Sequence, residues 1–211
     1  MRTLSRATLG VGTSLLPPSA GPDGTRRRIL EVALQQFASR GFHGTSIRDL
    51  ATALELQPSA LYAHFPSKEH LLAELVRLGH EIHHETLRTL LLESGADPVD
   101  QLRAVVRAHA RVHTTYPQLA VVVNDEMYAL SPKLIAPGIA LRNDSAALLL
   151  QVIERGAAMG RFKPLNIGAT VAAIGAMGLR IPHWYEAGGE LSAEALAETY
   201  AELALRMVKP T

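Results

Sequence analysis

The stretch Thr25–Leu72, TRRRILEVALQQFASRGFHGTSIRDLATALELQPSALYAHFPSKEHLL, decides the fold. Its apolar residues recur at helical spacing. Ile29, Val32, Ala33, Phe37 and Ala38 share one face of a helix predicted over Thr25–Arg40, and Gly41 stops it. A second, short helix starts at Thr45 or Ser46 and runs to Ala53, with Ile47, Leu50 and Ala51 facing inward. Either hydroxyl can cap it, and Asp49 in its first turn suits the helix dipole. A third helix spans Pro58–His64, with proline in the first position where it is tolerated. Leu61 and Phe65 form its apolar face. The tight turn Leu54-Glu55-Leu56-Gln57 joins the second helix to the third, which is helix-turn-helix spacing.

That motif lays its second helix in the major groove, with the helix N-terminus against base edges. The residues there are Gln57, Pro58, Ser59 and Ala60. Gln57 carries both a donor and an acceptor and can read adenine, and Ser59 can meet a base or a phosphate. Tyr62, His64 and Lys68 follow where phosphate contacts belong. Thr45 and Ser46 sit at a helix N-terminus, a natural anion site. Arg28, the last of three consecutive arginines, and Arg48 complete the expected DNA-binding set.

Working outward, the 211-residue chain has no cysteine, 21 basic and 20 acidic side chains, and a net charge of +1. The missing thiols exclude disulfides, thiolate metal sites and a cysteine nucleophile. Leucine and alanine make up about a third of the chain and aromatics only 5%, which favours helix over sheet. The near-neutral charge hides an asymmetry. Residues 1–70 hold eight basic and five acidic side chains, so a basic end joins a slightly acidic body. No apolar run reaches the roughly 18–20 residues of a membrane span, so a soluble, cytoplasmic chain with no membrane partner is expected.

Residues 1–24 read as a flexible tail, with breaker chemistry at Leu15 to Pro22. Residues 25–71 are the DNA-binding domain and 72–211 a second, larger domain. In the latter, helices are predicted over Ser67–Leu92, Val99–Thr115, Leu119–Leu130, Pro137–Met159, Asn166–Glu186 and Ser192–Val208. No segment reads as a strand. The fold class is therefore all-α with about nine helices.

The quoted stretch resembles the TetR family of one-component transcriptional regulators. The resemblance is carried by Ala33 and Phe37, Gly41-Phe42, Thr45 to Ala51, Leu61-Tyr62 with Phe65, and Ser67-Lys68-Glu69 with Leu71. It departs from the family where a turn glycine is usual, at Glu55, and at Gln57-Pro58, where the family favours Ser and Lys. The first departure implies turn strain, and the second bears on the operator sequence. The C-terminal text Trp184-Tyr185, Gly188-Gly189, Leu191-Ser192, Glu194 and Tyr200 to Arg206 is similar to a branch whose inducers are acyl-CoA thioesters. The resemblance implies a ligand-released repressor, not an enzyme, that binds a double-stranded DNA operator and a small apolar or acyl-CoA-like effector.

A reader of two half-sites needs two-fold symmetry, so a homodimer is expected. Its interface is placed on Ala172, Gly175 and Ala176 of the eighth helix and Leu196, Tyr200, Leu203 and Met207 of the ninth; intramolecular packing is the other reading of both stripes. Inward-facing apolar positions describe a ligand pocket or an ordinary core. His109, His113, Asn124, Met127, Tyr128, Arg142, Met177 and Trp184 are the candidate ligand residues.

Nine histidines stand out. His80-Glu81-Ile82-His83-His84 matches the HExxH pattern, and His109 and His113 repeat the four-residue spacing on the next helix. No cofactor or metal is expected; should a metal bind, His80, His84, His109 and His113 are its candidates. Two alternative functions stay open. One is a lipid- or acyl-CoA-binding protein without operator binding, and the other a zinc hydrolase built on His80, Glu81 and His84.

Overall fold

The structure is a computed structural model and describes residues 15–208. Its helices, in chain order, are α1 (Thr25–Arg40), α2 (Ile47–Ala53), α3 (Pro58–Tyr62), α4 (Lys68–Glu93), α5 (Pro98–Thr115), α6 (Pro117–Asp125), α7 (Pro132–Ala158), α8 (Ile167–Leu179) and α9 (Ala193–Val208). Short 3-10 turns cover Pro18–Ala20, Met127–Ala129 and Ile181–His183. No strand occurs among the described residues. No helix among them is long and apolar enough to cross a membrane.

Local chemistry sets most of the boundaries. Ser46 caps α2 in a reciprocal box: its hydroxyl accepts from the Asp49 N–H, and the Asp49 carboxylate accepts from the Ser46 N–H. Ser67, Asp97 and Asn166 cap α4, α5 and α8 with side-chain oxygens. Three boundaries differ from the expectation by five residues or more. α7 starts five residues earlier, at Pro132, and keeps Pro137 inside it. Pro137 is in the second turn, where its missing N–H removes one intrahelical bond rather than ending the helix. α8 stops at Leu179, because Pro182 cannot continue it and a 3-10 turn follows. The sixth helix ends at Asp125 and passes into the 3-10 turn Met127–Ala129.

The three helices of the head close on one core. Ile29, Leu30, Leu34, Phe37, Leu50 and Leu61 are fully buried there, together with Leu71, Leu72 and Leu75 from the start of α4. That core continues into α6 through Leu119 and Val122. A second core fills the body, with Leu102, Val105 and Val106 of α5 against Ile153 of α7, Ile174 of α8 and Leu205 of α9. α9 lies along α5, where Arg103, Arg107 and Arg111 face Glu202, Glu198 and Glu194 in a ladder of ion pairs.

Of the segment expected as a tail, residues 1–24, the first 14 lie outside the described residues. Leu16 and Ala20 are buried in the head core, so the segment from Leu15 is structure rather than tail. Arg27 holds it, donating to the carbonyls of Leu16, Pro17 and Gly21 at 3.2, 3.3 and 3.0 Å.

Candidate functional site

The residues expected to meet DNA lie mostly on or beside α2 and α3, with Arg28 on α1. Arg28, Ser46, Arg48, Gln57, Ser59, Tyr62 and His64 are exposed, while Pro58 and Ala60 are half-buried at the start of α3. Gln57 is the N-cap of α3 but makes no capping bond with its side chain, which leaves the amide to solvent. Glu55 in the turn has φ +57°, the left-handed region that glycine adopts without cost. The departure seen in the sequence is therefore a point of backbone strain.

Three of the expected DNA contacts, Thr45, Ser46 and Lys68, are engaged inside the head. Thr45 is buried, and its hydroxyl donates to the Gly41 carbonyl at 3.0 Å. The N-terminus of α2 is filled by the Asp49 carboxylate, which its bonds to Ser46 hold below the usual carboxylate range. Lys68 donates to the carbonyls of Phe42 and Thr45, both at 2.7 Å, and lies over the Phe42 ring. Partial burial lowers its pKa. An ammonium has three N–H donors, so one remains for a phosphate. The sequence could not show this, because Lys68 and Phe42 are 26 residues apart and meet only in the fold. Of the other two arginines in the run, Arg26 pairs with Glu74 at 2.6 Å and covers the Phe65 ring, and Arg27 holds the segment described above.

The body encloses a cavity of about 380 Å³ between α4, α5, α6, α7 and α8. Leu87, Val105, Val112, Leu149, Ile174 and Leu179 give it apolar walls. Its polar lining is imidazole from His80, His83, His109 and His113, with Asn124, Ser145 and Tyr116. Among the described residues, Arg142 is its sole charged lining side chain apart from the histidines, and is exposed, which puts it at the mouth with Ala146, Ala172 and Ala176.

Hydrogen bonds define the tautomers of the imidazoles. A carbonyl only accepts, so His109 Nε2–H donates to the Gly175 carbonyl at 3.0 Å and His113 Nδ1–H donates to the His109 carbonyl at 2.8 Å. The remaining His109 Nδ1 is then an acceptor, and His83 Nε2–H donates to it at 2.7 Å. Burial disfavours the charged form throughout. It lowers His109, lowers His83 well below the ordinary value with help from the neighbouring imidazoles, and pushes His113 to about 3. His80 falls to about 4 through burial and the charge of Arg142, and its Nε2 has no hydrogen-bond partner among the described residues. These rings are neutral at physiological pH. His109 fits only because residue 178 is glycine: a Cβ there would collide with the imidazole.

The sequence expectation and the structure divide here. His109, His113, Asn124 and Arg142 line the cavity. Met127 does not; it is fully buried in the core shared by head and body, because it lies on the 3-10 turn rather than on a continued sixth helix. Tyr128 is exposed outside the cavity and receives a 2.8 Å hydrogen bond from Arg142. Met177 packs on the body core, and Trp184 lies against Ile181 and Leu196 beside Tyr200. The HExxH pair also separates from the other histidines. His80 approaches Gly138 of α7, His84 approaches Ser145 at 3.4 Å, and Glu81 is ion-paired with Arg77. It is His83, not His80 or His84, that meets His109 and His113.

The expected dimer stripe is also split. Leu196 is buried in the protomer and Tyr200 is half-buried, whereas Leu203 and Met207 are exposed at 41% and 39%. The spacing of 4, 3 and 4 winds from the interior onto the surface. On α8, Ala172 and Ala176 are exposed and Gly175 is half-buried.

The chain resembles known proteins along both parts. Residues 29–75 match the model of bacterial regulatory proteins of the tetR family, and residues 95–208 match a tetracyclin repressor-like C-terminal domain. The HTH-type transcriptional repressor KstR2 of Mycolicibacterium smegmatis is 27% identical over 87% of this chain and 90% of its own. The crystal structure of a tetR-family regulatory protein from Rhodococcus RHA1 has a TM-score of 0.81 at 31% identity, over 87% of this chain and 96% of that one. The structure of the ketosteroid transcriptional regulator KstR2 of Mycobacterium tuberculosis has a TM-score of 0.82 at 26% identity, over 91% and 99%. The named relatives are regulators rather than enzymes. With the helix-turn-helix at one end of α4 and a C-terminal domain of the matching family on the other, the chain belongs to the TetR family of transcriptional regulators.

Proposed function

We propose that the protein is a homodimeric repressor that leaves its operator when an apolar, acyl-CoA-like effector enters the body cavity. One observation carries this reading: α4 both lines the cavity and holds the head. Gly79, His80, Ile82, His83 and Leu87 of α4 face the cavity, and Lys68 at its first turn grips the Phe42 and Thr45 carbonyls. Lys68 and His83 are about 22 Å apart along the helix, at 1.5 Å per residue. A ligand that fits better with α4 displaced shifts the population toward heads that no longer match two half-sites.

The cavity supports an effector of limited size. Its volume is near the lower end of small-molecule pockets, about 300–1,000 Å³. It suits the apolar acyl or ring portion of a thioester, with the anionic CoA portion outside the mouth beside Arg142. The KstR2 relative is named a ketosteroid regulator, so a steroid-derived thioester belongs among the ligands tested. For the dimer, the exposed Ala172 and Ala176 of α8 with Leu203 and Met207 of α9 form the contact surface.

The test is fluorescence anisotropy on a labelled duplex from upstream of the protein's own coding sequence. The expected result is salt-sensitive binding that steroid or fatty acyl-CoA esters relieve. Absence of binding at low salt without ligand would overturn the repressor reading. Binding that no acyl-CoA ester relieves would overturn the effector assignment.

A further inference from the structure

We propose that His83, His109 and His113 form a binding site for a late first-row divalent metal ion, zinc or cobalt, whose fourth coordination position opens into the cavity. One ring nitrogen from each of the three lies within 4.8 Å of the other two. His113 is buried, and the three ring centroids are 4.6 to 5.9 Å apart. Three imidazoles with an open fourth position are an established zinc donor set.

The outer contacts are those a metal site requires. A ligating histidine ordinarily donates its other ring N–H to a carbonyl, which fixes the ring and its tautomer. His109 does so through Nε2 to Gly175, and His113 through Nδ1 to the His109 carbonyl. Each ring is thereby left with a bare nitrogen, Nδ1 of His109 and Nε2 of His113. The His83 Nε2–H now lies between the first two rings, at 2.7 Å from His109 Nδ1. A metal takes that position when His83 moves its proton to Nδ1, so the exchange releases no net proton. Zinc–nitrogen bonds of 2.0–2.1 Å require the pair to open by about 0.6 Å, a small rotation of two side chains.

The charge balance makes the proposal more specific. Among the described residues, no carboxylate lines the cavity. The dication therefore draws an anion to the fourth position, as hydroxide, chloride or a carboxylate. The mouth beside Arg142 and Ala146 provides the entry path. The site uses no part of the head, so it stands or falls independently of operator binding.

The test is titration of the untagged full chain with Co²⁺ at pH 7.5, followed by visible absorption. One Co²⁺ per chain is expected, with the intense d–d bands of four-coordinate cobalt, bleached by Zn²⁺. His83→Phe should weaken binding at least about tenfold. Gly178→Ala, which pushes His109 aside, should do so without removing a ligand. Thermal melts check that both variants fold, and His84→Ala, outside the triad, should bind normally. Wild-type protein with no cobalt bands overturns the proposal whatever the variants do. So does only the weak absorption of six-coordinate cobalt, or binding that survives His83→Phe unchanged in a folded protein.

Discussion

The Glu126 carboxylate, in the body, accepts a hydrogen bond from the backbone N–H of Phe42, in the head, at 3.1 Å. Lys68 of α4 donates to the carbonyl of the same residue at 2.7 Å. Phe42 is therefore held through both of its backbone polar groups, one by the α6 end of the body and one by α4. A third bond, from the Ser131 N–H to Glu69 at 2.6 Å, ties the start of α4 to the start of α7. The head is thus seated where the body helices converge.

Glu126→Ala leaves a buried N–H without its acceptor, at a cost of about 1–3 kcal/mol in urea denaturation. Glu126→Gln keeps an acceptor and should recover most of that loss. If the joint transmits the effector signal, the ratio of operator affinities without and with effector moves toward one in the alanine variant. An unchanged ratio would place transmission elsewhere.

The exposed residues of the reading surface should separate by role. Gln57→Ala should relax base preference at one operator position, worth about 1–3 kcal/mol. Arg28→Ala should weaken all sequences alike and reduce the salt slope by about one. Lys68→Met should instead lower stability, since two carbonyls lose their donor. Binding titrations at several salt concentrations, with parallel melts, distinguish the three outcomes.

Glu55 occupies a left-handed turn position. Glu55→Gly should stabilise the protein by about 0.5–1 kcal/mol, because the relief exceeds the extra entropy glycine loses on folding. Glu55→Ala keeps a Cβ in the same conformation and should change little. A thermal melt of the pair isolates the backbone effect from the side chain.

Two glycines of α8 should respond in opposite ways. Gly178→Ala forces His109 away from the Gly175 carbonyl and should destabilise by about 1–3 kcal/mol. At Gly175 a Cβ meets nothing within 4 Å, so Gly175→Ala should be neutral or gain up to about 1 kcal/mol of helix propensity. Chemical denaturation of both variants checks the contrast.

The buried histidines make stability acid-sensitive. His80 and His113 titrate near 4 and 3 in the folded protein against 6.5 for an ordinary histidine. The unfolded chain therefore binds more protons below pH 6.5, and stability falls as pH drops from 6.5 toward 4. Each such histidine contributes a slope of about 1.4 kcal/mol per pH unit. Urea midpoints across that range should show the fall, and His80→Leu should reduce the slope by about one proton. A flat profile would mean that the rings gain charge in the folded state without penalty.

The helix-turn-helix was legible in the sequence because its signals are local. Gly41, the Ser46–Asp49 box, Pro58 and Ser67 act within a turn or two of the ends they define, so α1 to α4 lie where the pattern puts them. The strain at Glu55 was legible for the same reason. Which side chains meet across helices is a different matter. It depends on the rotation of each helix about its axis, and one residue is about 100° of rotation. The histidine hairpin was visible in the sequence, yet only packing selects His83 over His80 and His84 to face His109. The same dependence buries Leu196 while leaving Leu203 exposed; Met127 leaves the cavity because α6 ends before it. Periodicity along one helix thus determined the fold class and the reading head. The cavity, its imidazole cluster and the hold on Phe42 were decided by contacts between residues 26 to 84 positions apart, which arise only when the helices pack.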